Sequence, residues 1–392
     1  MISVCILMPF RLMHDSRSIK TINVLSSYCK VDVFYPDFDP NDINYFNSNT
    51  RLFGIKKRND FVKKLQNHSF FYDIYNSAVK TIVSTGVKYD YIWVHDLPVL
   101  KPAIKLKKKI GSKVIYDCHE IYIETLNQFF PEKMYGIKKI ILGGILKLMI
   151  WLGRKAEKRL VKDVDTCITV GKYVKEYLEL QFSRSDIKII YNCPYIQSSN
   201  EKVNLRNQLG LFPENRLIIY QGVMNPGRAL EQIIKAQKYT FDYVKLIMMG
   251  DGTLKKQLME LTKKEGLDNK IFFINRVPSS ELLKYTRSVD AGIILQDVNK
   301  NLSKKYGIAN KFFEYIHAGI PFVATDAPEN RIIYNQYPVC ELIDPINDVK
   351  QIAQAINLLF SEPIDKFKNQ AIEATKVYNW DNQVEIIKSI IV

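Results

Sequence analysis

Short, uninterrupted apolar runs alternate along the chain with longer stretches of helical pattern. The runs fall at 3–8, 30–35, 91–95, 113–117, 166–170 and 188–191, and again at 217–221, 245–249, 271–274, 291–295 and 321–324. An apolar run without alternation predicts a strand covered on both faces, as in a parallel sheet. Strands that alternate with helices predict right-handed βαβ units and doubly wound sheets. The expected fold class is α/β.

The rhythm breaks at 192–204. Asn192-Cys193-Pro194 closes one strand, and 197–202 is polar and turn-like. A chain of 392 residues also exceeds one ordinary core. The expected division is a domain at 1–195, a domain at 196–376 and an amphipathic helix in 377–392. In open α/β sheets ligands bind beyond the carboxyl ends of the strands. Two such domains facing each other would place a ligand in the cleft between them.

Charge narrows the partners. Lys and Arg number 56 against 41 Asp and Glu, a net charge of +15. That balance favours anionic partners: nucleic acid, anionic lipid or phosphorylated substrates. Without a helix-turn-helix, RNP or zinc-finger pattern, nucleic acid is not an expected partner. The six cysteines lack a C-x-x-C pair, and most lie in apolar runs, which predicts buried free thiols in a reducing compartment. Residues 2–10 read as a first buried strand rather than a signal peptide. Heavy use of Lys, Ile and Asn hints at an AT-rich bacterial genome.

The most informative stretch is 307–324: a loop, a short helix opening at Asn310, a break at Gly319 and a buried strand. A helix N-terminus offers unpaired N–H groups and partial positive charge, which suit a phosphate. Glu314, one turn in, would repel a phosphate but can accept hydrogen bonds from a ribose diol. A capped helix packed on a sheet, with Glu314 merely solvated, is the alternative reading.

Asn310-Lys311-x-Phe313-Glu314-Tyr315 followed by Gly319-x-Pro321 resembles the donor-site motif of retaining GT-B glycosyltransferases of family 4, the glycosyl transferases group 1. The resemblance runs along most of the chain. It implies two doubly wound Rossmann-like domains facing across a cleft. The N-terminal one would bind an acceptor and the C-terminal one a nucleotide-sugar donor, with the last helix crossing back to the first domain.

In the N-terminal half, His95-Asp-Leu-Pro and Tyr116-Asp-Cys-His119-Glu each follow a predicted strand and resemble segments of that family. His119 matches the family's active-site His, which contacts the reacting sugar; His95 is a second sugar-site candidate. Each His has an alternative as an ordinary strand-end cap. Asp15-Ser16-Arg17 in the first loop resembles an Asp-Pro-Arg variant of the family, which makes Asp15 and Arg17 candidates for acceptor or sugar binding. The alternative is a helix cap with a solvated Arg.

Residues 140–153 are almost all apolar, interrupted by Lys147. Lys133, Lys138, Lys139, Arg154, Lys155, Lys158, Arg159 and Lys162 flank them. A bilayer span needs about 20 apolar residues. The segment is therefore a core helix with solvated ends, or an interfacial helix on an anionic membrane. Lysines 101, 105, 107, 108, 109 and 113 form a second basic cluster.

In the C-terminal half, Gly222 begins a loop that ends at Arg228 and opens a helix. A forked guanidinium there pairs well with a diphosphate. The resemblance places Gly222, Arg228, Gly250, Gly252, Arg276, Val277, Ile308, Ala309, Asn310, Lys311 and Glu314 around the donor. In that placement Arg228, Lys311 and the 308–310 N–H groups take the diphosphate, Glu314 the ribose, and the Arg276–Val277 turn the base. Arg276 also reads as an ordinary solvated strand-end Arg. Two positions depart from the family pattern. Val223 stands where a phosphate-binding Arg is usual, and Tyr306 stands where the first Glu of E-x7-E contacts the transferred sugar.

The function expected is a retaining, metal-independent glycosyltransferase with His119, Arg228 and Lys311 as catalytic residues. It would use a UDP- or GDP-sugar and no other cofactor. Its acceptor would be a lipid-linked or otherwise anionic glycan in bacterial cell-surface polysaccharide assembly. The expected location is cytoplasmic, peripheral on the inner membrane face, with 133–162 touching lipid. A catalytically silent GT-B subunit remains an alternative because of Tyr306, and a sugar-nucleotide epimerase is a further one.

Overall fold

The computed structural model describes residues 1–56, 75–129, 136–197, 199–299, 301–344, 348–361 and 363–391. The chain forms two compact units, one of Met1–Tyr191 with Gln383–Val392, the other of Asn192–Asn382.

The first unit holds strands β1 (Ser3–Leu7), β2 (Lys30–Tyr35), β3 (Thr50–Gly54), β4 (Tyr91–His95), β5 (Lys113–Cys118), β6 (Thr166–Thr169) and β7 (Lys188–Ile189). They lie in the order β3-β2-β1-β4-β5-β6-β7, all parallel. The second unit holds β8 (Arg216–Gln221), β9 (Val244–Met249), β10 (Ile271–Ile274), β11 (Ala291–Ile294), β12 (Phe322–Thr325) and β13 (Cys340–Ile343). Their order is β10-β9-β8-β11-β12-β13, again all parallel. Strand order reverses beside β1 and beside β8, where open α/β sheets place their ligands.

The central strands are buried on both faces, which explains their unbroken apolar character. Two strands carry no such signal because they sit at sheet edges. In β3, Arg51 points outward and grips Asp32 with two hydrogen bonds of 2.8 and 2.6 Å. In β13, Glu341 interrupts the apolar run. The strand expected at 188–191 is registered at Lys188–Ile189, and past the Ile190 N–H, which still donates to the Thr169 carbonyl, the Ile190 carbonyl turns to the Arg17 guanidinium.

Local chemistry fixes the elements that matter. Asp15 caps the helix Ser16–Ser26 by accepting from the Arg17 N–H at 3.0 Å. The helix Asn310–Ala318 ends at Gly319, whose φ of +70° suits glycine. It is pinned to the second sheet by Tyr315, whose hydroxyl donates to the Ile219 carbonyl at 2.9 Å. The last helix, Trp380–Ile391, closes the first unit: Gln383 accepts from the Tyr191 N–H at 3.0 Å, and Ser389 meets Lys188 at 3.2 Å. All six cysteines are free and buried.

Candidate active site

In the first unit the β4–β5 register sets His95 beside Asp117 at the carboxyl ends of the strands. Asp117 is buried and receives the Arg17 fork, Nε at 3.2 Å and Nη2 at 2.7 Å, plus Trp93 Nε1 at 3.2 Å. Arg17 is itself 1% exposed and also donates to the Ile190 carbonyl. It is therefore neither solvated nor presented to a ligand as expected from sequence. It is committed to holding Asp117.

His119 occupies the centre. Its Nε2 lies 2.9 Å from His95 Nδ1 and 3.6 Å from Asp117 Oδ2, while its Nδ1 faces Asp15 Oδ2 at 3.4 Å. Its backbone N–H donates to Asp96 at 2.9 Å. Asp96 adopts φ 60° and ψ 167°, a conformation costly for any side-chain-bearing residue. That strain is held by this bond and by the Asp96 N–H to Asp117 carbonyl bond at 3.0 Å.

The electrostatics follow from the geometry. Burial opposes a charge on His119, but Asp15, Asp96 and Asp117 outweigh it and hold the imidazole up at about 9. Burial, then the charge on His119, pushes His95 down to about 4. Burial raises Asp96 to about 7. Asp117 stays well below the usual range, because Arg17 and the two imidazoles overcome its burial. A charged His119 therefore donates to a neutral His95, whose own proton rests on Nε2. That nitrogen is buried with no hydrogen-bond partner among the described residues.

Asp15, His95 and His119 also offer metal-ligand chemistry, with one ligand atom each and all within 4.8 Å of one another. However, the nitrogen of His119 that faces Asp15 is not the one that faces His95. An ion bound to either nitrogen would displace one of these two contacts.

In the second unit the loop after β8 brings cations together. Lys311 lies against Gly222 so closely that a Cβ there would meet Nζ at 2.7 Å. Gly222 has a φ of +119° as well, so both space and conformation require glycine. Arg228 stands beside Lys311 and Tyr220, and its Nε is buried without a hydrogen-bond partner among the described residues. Burial, then repulsion from Arg228, lowers Lys311 to about 8, with Glu314 opposing. Two cations share this corner, a disposition that suits a diphosphate. The adjoining helix N-terminus at Ala309 has no side-chain cap, and Ile308, Ala309 and Asn310 lead directly into it.

Glu314 is held from one side by Gln221, whose Nε2 donates to Oε2 at 2.6 Å. Thr286 in turn donates to Gln221 Oε1 at 2.8 Å. Gly250 and Gly252 serve loop packing: a Cβ would lie 2.0 Å from the Gly222 carbonyl in one and 2.5 Å from the Met224 carbonyl in the other. Arg276 is exposed and Val277 half-buried just after β10. Tyr306 is half-buried at the end of the helix Leu302–Tyr306, with Lys305 5.8 Å from its ring centroid. Gln221, Thr286, Asp96 and Asp117 were not singled out from sequence. A buried polar residue ending an apolar strand is the signal that marks Gln221 and Asp117.

The apolar, basic segment forms the helix Ile137–Val161. Its second half is anchored: Arg154 Nε donates to Glu124 at 2.7 Å, and Glu157 accepts from Tyr116 at 2.8 Å. Its first half is not a core helix. Ile137, Ile140, Ile141, Ile145, Leu148 and Trp151 are all at least half exposed. Lys133 lies outside the described residues, as do the side chains of Lys138 and Lys139. The second basic cluster is partly neutralised, Lys107 by Asp165 at 2.7 Å and Lys108 by Asp163 at 3.1 Å. Among the described residues no helix is long and apolar enough to cross a membrane.

Residues 201–378 match the family model described as Glycosyl transferases group 1. This match and the relatives below support a group 1 glycosyltransferase. An O-antigen biosynthesis glycosyltransferase of Escherichia coli, WclY, is 22% identical over 372 residues, covering 91% of this chain and 92% of the relative. An uncharacterized glycosyltransferase of Methanocaldococcus jannaschii is 27% identical over 250 residues, 61% of this chain, and the match spans only 58% of that relative's length. Among solved structures, sucrose-phosphate synthase from Thermosynechococcus elongatus superposes with a TM-score of 0.77 at 14% identity, covering 100% of this chain and 98% of that one. The Anabaena protein HepE, in complex with UDP and glucose, gives 0.73 at 15% identity, with 100% and 99% covered. The fold is α/β GT-B.

Proposed function

We propose that the chain is a retaining, metal-independent glycosyltransferase of family 4 type. It transfers a sugar from a UDP- or GDP-sugar to a lipid-linked or polysaccharide acceptor in cell-surface glycan assembly. The observation that carries this reading is the corner where Arg228 and Lys311 meet over Gly222, with Glu314 fixed by Gln221 one helical turn away. Two fixed cations and a helix N-terminus stabilise the charge that develops on a leaving diphosphate. In this reading they take the place of a metal, Glu314 holds the ribose, and Arg276 with Val277 borders the base. His119, charged at neutral pH with its two ring nitrogens turned to His95 and Asp15, acts on the sugar through its positive charge rather than as a base. The UDP held by the structurally similar HepE complex supports a nucleotide donor.

The exposed half of the helix Ile137–Val161 supports a peripheral location on an anionic membrane. Exposed Ile, Leu and Trp side chains share this helix with Lys147, Lys155 and Arg159, as expected at a headgroup boundary. Lys155 lies 3.6 Å from the centroid of the Trp151 ring.

The test is transfer itself. The protein, a UDP- or GDP-sugar and lipid-diphosphate-linked saccharide are incubated with and without EDTA, and the product linkage is read by proton NMR. Product with the donor's anomeric configuration, formed equally with EDTA, is expected. Inverted product, or loss of activity with EDTA, contradicts the proposal. A second reading, a silent GT-B subunit, is favoured by one observation, Tyr306 at the usual Glu position; donor binding without any turnover would select it.

A further inference from the structure

Lys304 was not singled out from the sequence, yet it reaches the loop that aims Arg228. Its Nζ donates to the Gly227 carbonyl at 3.2 Å, and the Asp297 N–H donates to the same oxygen at 3.1 Å. Gly227 has a φ of +78°, and a Cβ there would lie within van der Waals overlap of the Lys304 ammonium. Ala229, on the other side of Arg228, also has a left-handed φ, +47°. Arg228 thus sits between a left-handed turn that glycine adopts freely and an Ala229 whose left-handed backbone is strained and holds only if its surroundings fix it.

Lys304, together with the Asp297 N–H, ties this turn down, and it does so from a helix that also carries Tyr306. Asn301 caps the helix, accepting from the Ser303 N–H at 2.8 Å, and the Gly307 N–H returns to the Ser303 carbonyl at 2.9 Å. From Gly307 the chain runs through 308 and 309 into the helix that bears Lys311. One lysine therefore ties the Arg228 loop to the turn that precedes Lys311. It also brings a positive charge to a neighbourhood where Val223 lacks one.

We propose that Lys304 is a positioning residue for the donor diphosphate: it locks the Gly227–Arg228 turn and reinforces the positive field there. This rests on the donor-site reading given above. The test is titration calorimetry of the whole chain with UDP, GDP and uridine, for wild type, Lys304→Met, Lys304→Gln and Lys304→Arg. Lys304→Met is expected to weaken the preferred nucleoside diphosphate about tenfold, as loss of a charged hydrogen bond predicts. Uridine affinity should change less than about twofold, and Lys304→Arg should restore most of the loss. Lys304→Gln keeps an N–H for the carbonyl without the charge, so it should fall between Met and wild type and serves if the Met variant does not fold. Met and Gln variants that both bind diphosphate as wild type does would overturn the role of Lys304 alone. Wild type that binds neither UDP nor GDP would overturn the donor site, and this inference with it.

Discussion

Nε2 of His119 lies 2.9 Å from Nδ1 of His95, and the two imidazoles are driven in opposite directions, one up to about 9 and the other down to about 4. The pair carries a single positive charge across the physiological range, and His119 holds it. The polarity is set by Asp15 and Asp96, which stand by His119, while burial dominates at His95. The site therefore presents a cation at His119 rather than a neutral base.

That arrangement fixes a sign for stability. His119 has a folded pKa above the unfolded value of about 6.5. Its contribution is fully present below about pH 6.5 and is lost as pH rises through about 9. The melting-temperature gap between wild type and His119→Gln should be widest near pH 6.5 and shrink by pH 9.5. A gap that grows with pH contradicts the assignment.

Removing one carboxylate should move the same group. Asp15→Asn is expected to lower the His119 pKa by about one unit or more, read from imidazole NMR shifts, while leaving the Arg17–Asp117 pair intact. An unchanged pKa would mean that Asp96 and Asp117 suffice.

In the proposed donor site, Lys311 should set a pH limit on binding. Its pKa of about 8 in the free protein means that it loses its charge above that pH, whereas a bound diphosphate needs it charged. Affinity for UDP or GDP should fall up to about tenfold per pH unit above 8. In Lys311→Met the affinity should be weaker and this pH dependence absent.

Gln221 should matter through Glu314. Gln221→Leu removes the 2.6 Å bond that orients the carboxylate and should raise the donor KM about tenfold with the fold intact. Equal kinetics in wild type and variant would detach Gln221 from the site.

Packing makes a separate prediction. A Cβ at Gly292 would lie 2.5 Å from the Tyr315 ring, so Gly292→Ala should destabilise the second unit by about 1–3 kcal/mol or more in denaturant unfolding. Tyr315→Phe keeps the ring and should cost only about 1 kcal/mol, from the lost bond to the Ile219 carbonyl.

The buried parallel strands were legible because a strand covered on both faces has to be apolar throughout. The edge strands β3 and β13 were not, since Arg51 and Glu341 break their apolar runs. The helix Asn310–Ala318 and its glycine stop were legible because both are local. Gln221 and Glu314 lie 93 residues apart, and Arg17 and Asp117 lie 100 apart. Partnerships over such separations leave no spacing to read. For that reason Arg17 read as a sugar or acceptor contact or as a solvated Arg, whereas it is buried against Asp117. The apolar stretch around Ile145 was ambiguous because composition alone does not say which side of a helix is covered.

The most direct measurement is a thermal-shift panel of UDP-, GDP-, ADP- and CDP-sugars with and without EDTA, on wild type and Glu314→Ala. A ligand that binds the folded state raises the midpoint by mass action. A rise with one UDP- or GDP-sugar, insensitive to EDTA and diminished in Glu314→Ala, is the predicted result. No rise with any nucleotide sugar, or a rise that EDTA abolishes, would contradict a metal-independent donor site built on Arg228, Lys311 and Glu314.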